Sequence, residues 1–331
     1  MLTKFKHQQF AHCESGVVST LLSQYGLKIS EPMAFGITHS LTFFYFPLIK
    51  LNGLPLIAYR EVPKNIIKNI EKRLGIKVYK KQYKDMLEAN SELSRLVVEE
   101  KKLVGLQTSV YYLPYMPKDM RFHFNAHNLL VYGKEGDEYL ISDPVFEEPV
   151  RCKEKDLTIA RFAKGVFAPR GFLYYPQDIP KDIQMGAILK KSIRKNAKSM
   201  TTPFPYAGVK GMRRLAQSIL KLKPSQSNKR YIQNYLTHIV RMQEEIGTGG
   251  GGFRFLYSAF LQECMQYDLD KQKLQKASEL LIESGEALRQ FALFCVQSAK
   301  NIENFEAQKI SQKLLEASKI EEEAFKILKT I

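Results

Sequence analysis

Residues 127–144 read His127-Asn-Leu-Leu-Val-Tyr-Gly133-Lys-Glu-Gly-Asp137-Glu138-Tyr-Leu-Ile-Ser142-Asp143-Pro144. Two short runs rich in strand-forming residues, 128–132 and 138–142, flank a polar, glycine-bearing connection from Gly133 to Asp137. That is the pattern of an antiparallel hairpin. A hairpin sets the start of its first strand beside the end of its second, so this one predicts that His127 and Asp143 lie side by side.

Further strands are expected over 103–112 and over the apolar run 165–175. Helices are expected over 15–25, where Val17, Val18, Leu21 and Leu22 share one face and Gly26 ends the run, and over 64–74, ended by Gly75. The apolar stretch 37–59 is interrupted by His39, Pro47, Lys50 and Asn52. It is too broken to span a bilayer and reads as buried strands or a pocket wall. Pro176 and Pro180 mark a domain boundary, beyond which the strand signal stops. Residues 183–198, 208–222, 229–246, 253–267 and 271 to the end read as helices. The expected class is α+β, with an α+β domain over 1–178 and an all-helical domain over 179–331. The tail after Lys271 suits either packing on its own domain or a homodimer interface.

The chain has 331 residues, 50 Lys+Arg against 34 Asp+Glu, and a formal net charge of +16. Its 44% hydrophobic and 25% charged residues exclude a disordered chain, a collagen-like chain and a disulfide-packed miniprotein. The charge excess asks for an acidic partner: nucleic acid, an anionic membrane surface, or an acidic protein or ligand. Between Lys181 and Arg230 there are 13 Lys/Arg and one acid, Asp182, a net +12. Such a stretch is either a solvated surface or a docking face, and an excess of this size favours docking. No nucleic-acid-binding motif accompanies it. Cys13, Cys152, Cys264 and Cys295 are widely scattered, with neither a disulfide framework nor metal-site spacing, so a reduced, cytoplasmic setting and no metal are expected. The first residues lack the apolar core of a signal peptide.

Cys13 stands immediately before the first helix. A thiol there is favoured as thiolate by the unpaired N–H groups and the helix dipole. His127 opens a strand and can take a proton from it; Asp143 closes the partner strand and can orient the imidazole. Together they follow the logic of a papain-like triad. His123, in Phe122-His-Phe124, is the competing base.

The segment Phe5-Lys-His7-Gln8-Gln-Phe-Ala-His12-Cys13-Glu-Ser-Gly16 is followed by Leu21-Leu-Ser-Gln-Tyr-Gly26 and Ile29-Ser-Glu31-Pro-Met-Ala-Phe-Gly36. These resemble the N-terminal domain of BtrH-like proteins, named for an acyltransferase of butirosin biosynthesis and similar to the C39 papain-like peptidases. The 127–144 segment, with Gly133 six residues after the histidine, looks like the C39 His…Asp-Pro block. Gly208-Val-Lys-Gly-Met-Arg213-Arg214-Leu-Ala216 and Ile246-Gly-Thr-Gly-Gly-Gly-Gly252-Phe-Arg254-Phe-Leu-Tyr-Ser-Ala-Phe-Leu261 resemble the helical domain usually fused to it. The likeness runs to about Tyr267.

The resemblance implies a papain-like fold and transfer of an acyl group from a carrier-protein phosphopantetheine thioester to a small amine, with no tightly bound cofactor. Carried over, it makes Cys13 the acyl-accepting nucleophile, His127 the base and Asp143 the orienter. The Cys13 N–H and a nearby side chain would form the oxyanion hole. C39 peptidases place a glutamine just upstream for this; here His7 stands there with Gln8 beside it. Carrier proteins are acidic as a class, so Arg213 and Arg214 in the basic stretch are expected to dock the carrier.

Other candidates carry two readings each. His12 either tunes the thiol or points away from it. Glu31 either meets an amine or caps the next segment. Gly249 to Gly252 lack the ending of a phosphate loop and a preceding strand. They can still let backbone approach a ligand, with Arg254 beside it and a phosphopantetheine phosphate as a suitable guest. Phe43, Phe44, Tyr45 and Phe46 either line an acyl pocket or pack in the core. A hydrolase built on the same triad, and a non-catalytic basic binding protein, are the alternative functions.

Overall fold

The computed structural model of the chain describes residues 5–51, 53–246 and 250–331. Helix α1 (Cys13–Gln24) buries Val17, Val18, Leu21 and Leu22 and stops at Gly26, whose φ of 97° is the left-handed conformation that glycine adopts without strain. A short α2 (Glu31–Ile37) leads into a hairpin of β1 (Leu41–Leu51) and β2 (Leu54–Arg60), after which α3 (Asn65–Leu74) ends on Gly75. Strand β3 (Lys77–Lys81), α4 (Met86–Ser94), β4 (Val104–Thr108), β5 (His127–Glu135), β6 (Glu138–Ser142), β7 (Val150–Lys153), α5 (Glu154–Arg161) and β8 (Leu173–Asp178) follow.

Strands β3 to β8 make one antiparallel sheet in the order β3-β8-β4-β5-β6-β7. The expected hairpin is β5–β6, tightened to a turn at Gly136 and Asp137, with a bulge between Val131 and Gly133. Alternation sorts the side chains. Leu106, Leu129, Val131, Ile141, Leu173 and Tyr175 join a core with Leu93, Leu96, Leu157 and Ala160 of the α4 and α5 regions. Helix α1 packs on β5, β4 and β8. The expected strand over 165–175 begins only at Leu173, and it lies inside the sheet between β3 and β4. Before it, Gly165, Phe167, Arg170 and Gly171 all have positive φ, incompatible with a strand. Asn125 donates to the carbonyls of Lys164 and Val166, and Gln107 to that of Phe167, which fixes this loop.

Beyond residue 183 come α6 (Met185–Met200), α7 (Gly208–Leu220), α8 (Lys229–Val240), α9 (Arg254–Cys264), α10 (Lys271–Lys300) and α11 (Ala307–Leu328). The tail is thus two helices. Lys309 lies over the ring of Phe294 and Ser284 bonds Glu321, so α11 runs antiparallel to α10. Leu281, Leu288, Phe291, Cys295, Leu314, Phe325 and Leu328 are buried, so the tail packs on its own unit.

The domain division expected at 178/179 needs correction. One unit comprises residues up to Ala34 together with Pro63–Ile183; the other comprises Phe35–Val62 and Gln184–Ile331. The second unit is therefore not all-helical, because it takes in the β1–β2 hairpin. Specific bonds hold the hairpin there. Ser192 donates to the Ile37 carbonyl and Asn196 to that of Leu41. Tyr59 donates to Gln243, and Tyr235 to Tyr45. At Gly36 an added Cβ would fall 2.1 Å from the Phe260 ring, so only a glycine permits that approach.

Candidate active site

Cys13 is the first residue of α1 and is 2% exposed. Three groups set its position. His12 is the N-cap, extended, with Nδ1 accepting the Ser15 N–H at 3.3 Å. The buried Glu31 carboxylate accepts the N–H groups of Ala11 (2.9 Å) and His12 (2.7 Å) and the Ser15 hydroxyl (3.0 Å). The neighbouring Glu14 carboxylate, fully buried, accepts the Ile66 N–H at 3.1 Å at the start of α3. Burial pushes the Glu31 pKa up, against the pull of its three donors. Ser30, which accepts the Met33 N–H, caps the next segment, and Glu31 braces the turn into Cys13.

The β5–β6 register brings His127 to Asp143. His127 Nε2 lies 2.7 Å from Asp143 Oδ2, both side chains being buried. The Tyr115 hydroxyl donates to the same oxygen at 2.9 Å, and the Val145 N–H reaches Oδ1 at 3.3 Å. The Phe10 N–H donates to the Pro144 carbonyl at 2.8 Å, which ties the segment leading to Cys13 to the residue after Asp143. The Cys13 sulfur is among the groups that act electrostatically on the His127 imidazole. Burial works to lower the His127 pKa, but the charge and hydrogen bond of Asp143, with the contribution of Cys13, outweigh it and hold it at about 10. The competing His123 is exposed and stacks on Tyr111 at 4.0 Å, away from this pair.

Tyr115 and Tyr174 were not legible as site residues in the sequence. Tyr174 donates to Asn128 Oδ1 at 3.0 Å, and its hydroxyl is pushed far up in pKa by burial and then by the charges of Glu14 and Cys13. Gly105 makes room for its ring, since a Cβ there would lie 2.5 Å from the ring. The other three thiols are buried structural cysteines, and burial pushes each pKa up, that of Cys152 to about 12.

Several expected roles are displaced. His7 has both ring nitrogens engaged, with Ser142 Oγ (2.7 Å) and the Phe146 carbonyl (3.0 Å), so it anchors the N-terminal segment. Gln8 is exposed. Arg254 is fully buried and paired through Nε (2.8 Å) and Nη2 (2.9 Å) with Glu321, and it also donates to the carbonyls of Gly252 and Thr42. It is a core ion pair and not a ligand contact. Gly249 lies outside the described residues; Gly250, Gly251 and Gly252 all have positive φ, and Cβ atoms at the last two would strike Phe255 and Tyr59. These glycines serve close packing. Arg213 is paired with Glu322 at 2.7 Å, and Arg214 lies over the Tyr206 ring at 4.4 Å. Phe43 and Tyr45 are core residues, while Phe44 and Phe46 stack on each other at 5.7 Å.

Among the described residues, no group of three or more His, Cys, Asp and Glu is placed to hold a metal ion, and no helix is long and apolar enough to cross a membrane.

Cys13 at a helix start and the buried His127–Asp143 pair on a hairpin both belong to the first unit. Two family models match the chain. The one described as "Butirosin biosynthesis protein H, N-terminal" matches residues 12–144 and so takes in Cys13, His127 and Asp143. The one described as "Domain of unknown function (DUF4872)" matches 155–328, just over half of the chain. The chain belongs to the biosynthesis-related family in which these two domains are joined. No curated protein matches it.

Proposed function

We propose that the protein is a cysteine-dependent N-acyltransferase with a papain-like catalytic unit. In this reading Cys13 takes an acyl group from a carrier-protein phosphopantetheine thioester and passes it to a small amine. The observation that carries it is the buried pair of His127 and Asp143 at 2.7 Å, in the same unit as a buried Cys13 at the start of α1.

The chemistry divides into two balanced steps. Cys13 Sγ attacks the thioester carbonyl, its proton held on His127, and the carrier's sulfur leaves and takes that proton. A substrate amine then attacks the acyl-Cys13 carbonyl, His127 takes the amine's proton, and the amide departs as Cys13 sulfur is released and reprotonated. The developing oxyanion is met by the Cys13 N–H in the first turn of α1, where amides have no intrahelical partner. Asp143 holds the imidazole orientation through both steps, and Tyr115 holds Asp143. The free state of all four thiols suits a reducing, cytoplasmic setting.

The test is intact-mass detection of an acyl-enzyme after incubation with a short acyl thioester of N-acetylcysteamine. The adduct should form on the wild type and vanish in Cys13→Ala. An unchanged adduct in that variant overturns the assignment. Decay of the adduct at one rate with or without amines such as an aminoglycoside, an amino acid or a polyamine makes the protein a hydrolase.

A further inference from the structure

Arg213 is paired with Glu322 and the exposed Arg214 lies over the Tyr206 ring, while a longer row of cations lies on another helix of the second unit. On α6, Lys190, Lys191, Arg194, Lys195 and Lys198 are all exposed and fall on one face at i, i+1, i+4, i+5 and i+8. At 1.5 Å per residue the row is about 12 Å long. Lys190, Lys191, Arg194 and Lys198 make no ion pair with any described residue; nearby, Arg213 is paired with Glu322, Arg214 lies over the Tyr206 ring and Lys210 donates to the Pro203 carbonyl. Like charges at i, i+4 repel, so the row costs helix stability unless something covers it.

The opposite side of α6 prevents the row from turning away. Leu189, Ile193, Ala197 and Met200 are buried, and Ser192 and Asn196 are hydrogen-bonded to the carbonyls of Ile37 and Leu41 in the hairpin segment. The cations are therefore presented in a fixed orientation on a rigid helix. The exposed face carries Ala187 and no aromatic or large apolar residue. It lacks the apolar wedge of a membrane-surface helix and the stacking rings of a single-strand nucleic-acid groove.

We infer that the exposed face of α6 is the seat for an acidic helix of the protein that delivers the acyl group. The inference rests on the acyl-transfer reading, which requires a protein-borne thioester, and it names the surface of this chain that recognises the bearer by charge.

The test compares the wild type with Lys190→Glu/Arg194→Glu/Lys198→Glu, three exposed positions outside the core. The probes are a fluorophore-labelled holo-acyl-carrier protein, read by anisotropy, and the N-acetylcysteamine thioester, read by acylation of Cys13. The dissociation constant for the carrier should rise at least about tenfold at low ionic strength, with the gap closing at about 0.5 M salt. Lys190→Ala/Arg194→Ala/Lys198→Ala should fall between, and acylation by the small thioester should be unchanged in all three proteins. Equal carrier binding by all three, or none by the wild type, overturns the inference even if Cys13 is acylated. Tighter, charge-dependent binding of a roughly 20-bp DNA duplex than of the carrier also overturns it, as the mark of a nucleic-acid surface. Charge-dependent carrier binding without any acylation of wild-type Cys13 leaves the surface standing and removes the acyl-transfer reading instead.

Discussion

Glu31 accepts the backbone N–H of His12 at 2.7 Å, so the residue before Cys13 is held by a carboxylate 19 positions further along the chain. With the Ala11 N–H on its other oxygen and the Ser15 hydroxyl on the first, every donor around that carboxylate meets an acceptor. In Glu31→Gln one oxygen becomes an NH2 group that faces a backbone N–H. The variant should lose about 1–3 kcal/mol of stability in urea unfolding and acylate Cys13 more slowly. Retention of wild-type stability and rate would show that the turn into α1 holds itself.

The His127–Asp143 pair makes stability depend on pH. His127 is held at about 10 against an ordinary 6.5. Between those values the folded protein keeps a proton that the unfolded chain has released, so the contribution is complete below about pH 6.5 and is lost as pH rises through about 10. Unfolding free energies from urea titrations across that window should fall by an amount on the order of a few kcal/mol. In Asp143→Asn the group that raises His127 most strongly is gone, burial acts to lower it, and the fall should flatten. An unchanged slope in that variant would assign the effect to other groups.

Gly105→Ala tests the support beneath the site. The added methyl would lie 2.5 Å from the Tyr174 ring, whose hydroxyl holds Asn128 next to His127. Overpacking should cost about 1–3 kcal/mol, and acylation of Cys13 should slow beyond what the lost stability explains. A variant with normal acylation would show that Tyr174 only packs.

Arg254→Met should strand the Glu321 carboxylate in the core with Ser284 as its remaining hydrogen-bond donor, at a cost of about 3–5 kcal/mol in denaturant unfolding. Arg254→Met/Glu321→Leu should recover much of that loss. Below their unfolding temperatures both should load Cys13 from the small thioester like the wild type; a large rise in KM for Arg254→Met would restore its reading as a ligand contact.

What could be read in advance follows the range of the interaction. His127 and Asp143 are 16 residues apart, joined by a turn with glycine and flanked by strand-forming residues, so local pattern sufficed to pair them. Cys13 was legible from the helix that follows it. Tyr115 lies in the irregular stretch between β4 and β5, with no period to mark its direction, and reaches Asp143 only through the tertiary fold. Glu31 binds backbone N–H groups, which every residue type carries, so its partners leave no trace in composition. Arg213 and Arg254 could be recognised as cations, but Glu322 and Glu321 lie 109 and 67 residues away, and nothing local says that the charge is already spent. The run 37–59 was legible as buried strands; hydrophobicity says that a surface is covered and not by what.

The allegiance of Phe35–Val62 to the helices bears on how the protein is made. The ribosome releases this hairpin long before it synthesises Gln184–Ile331, which supply the groups that hold Tyr45 and Tyr59. Until then an apolar β-edge waits without its cover, the kind of nascent segment that chaperones shield. The same holds in the laboratory: a fragment cut between the two family matches, after residue 144 and before 155, keeps the hairpin and discards its partners. Separate production of the halves should give aggregation-prone material, whereas a fusion of residues 35–62 to residues 184–331 through a flexible linker respects the division the chain itself makes.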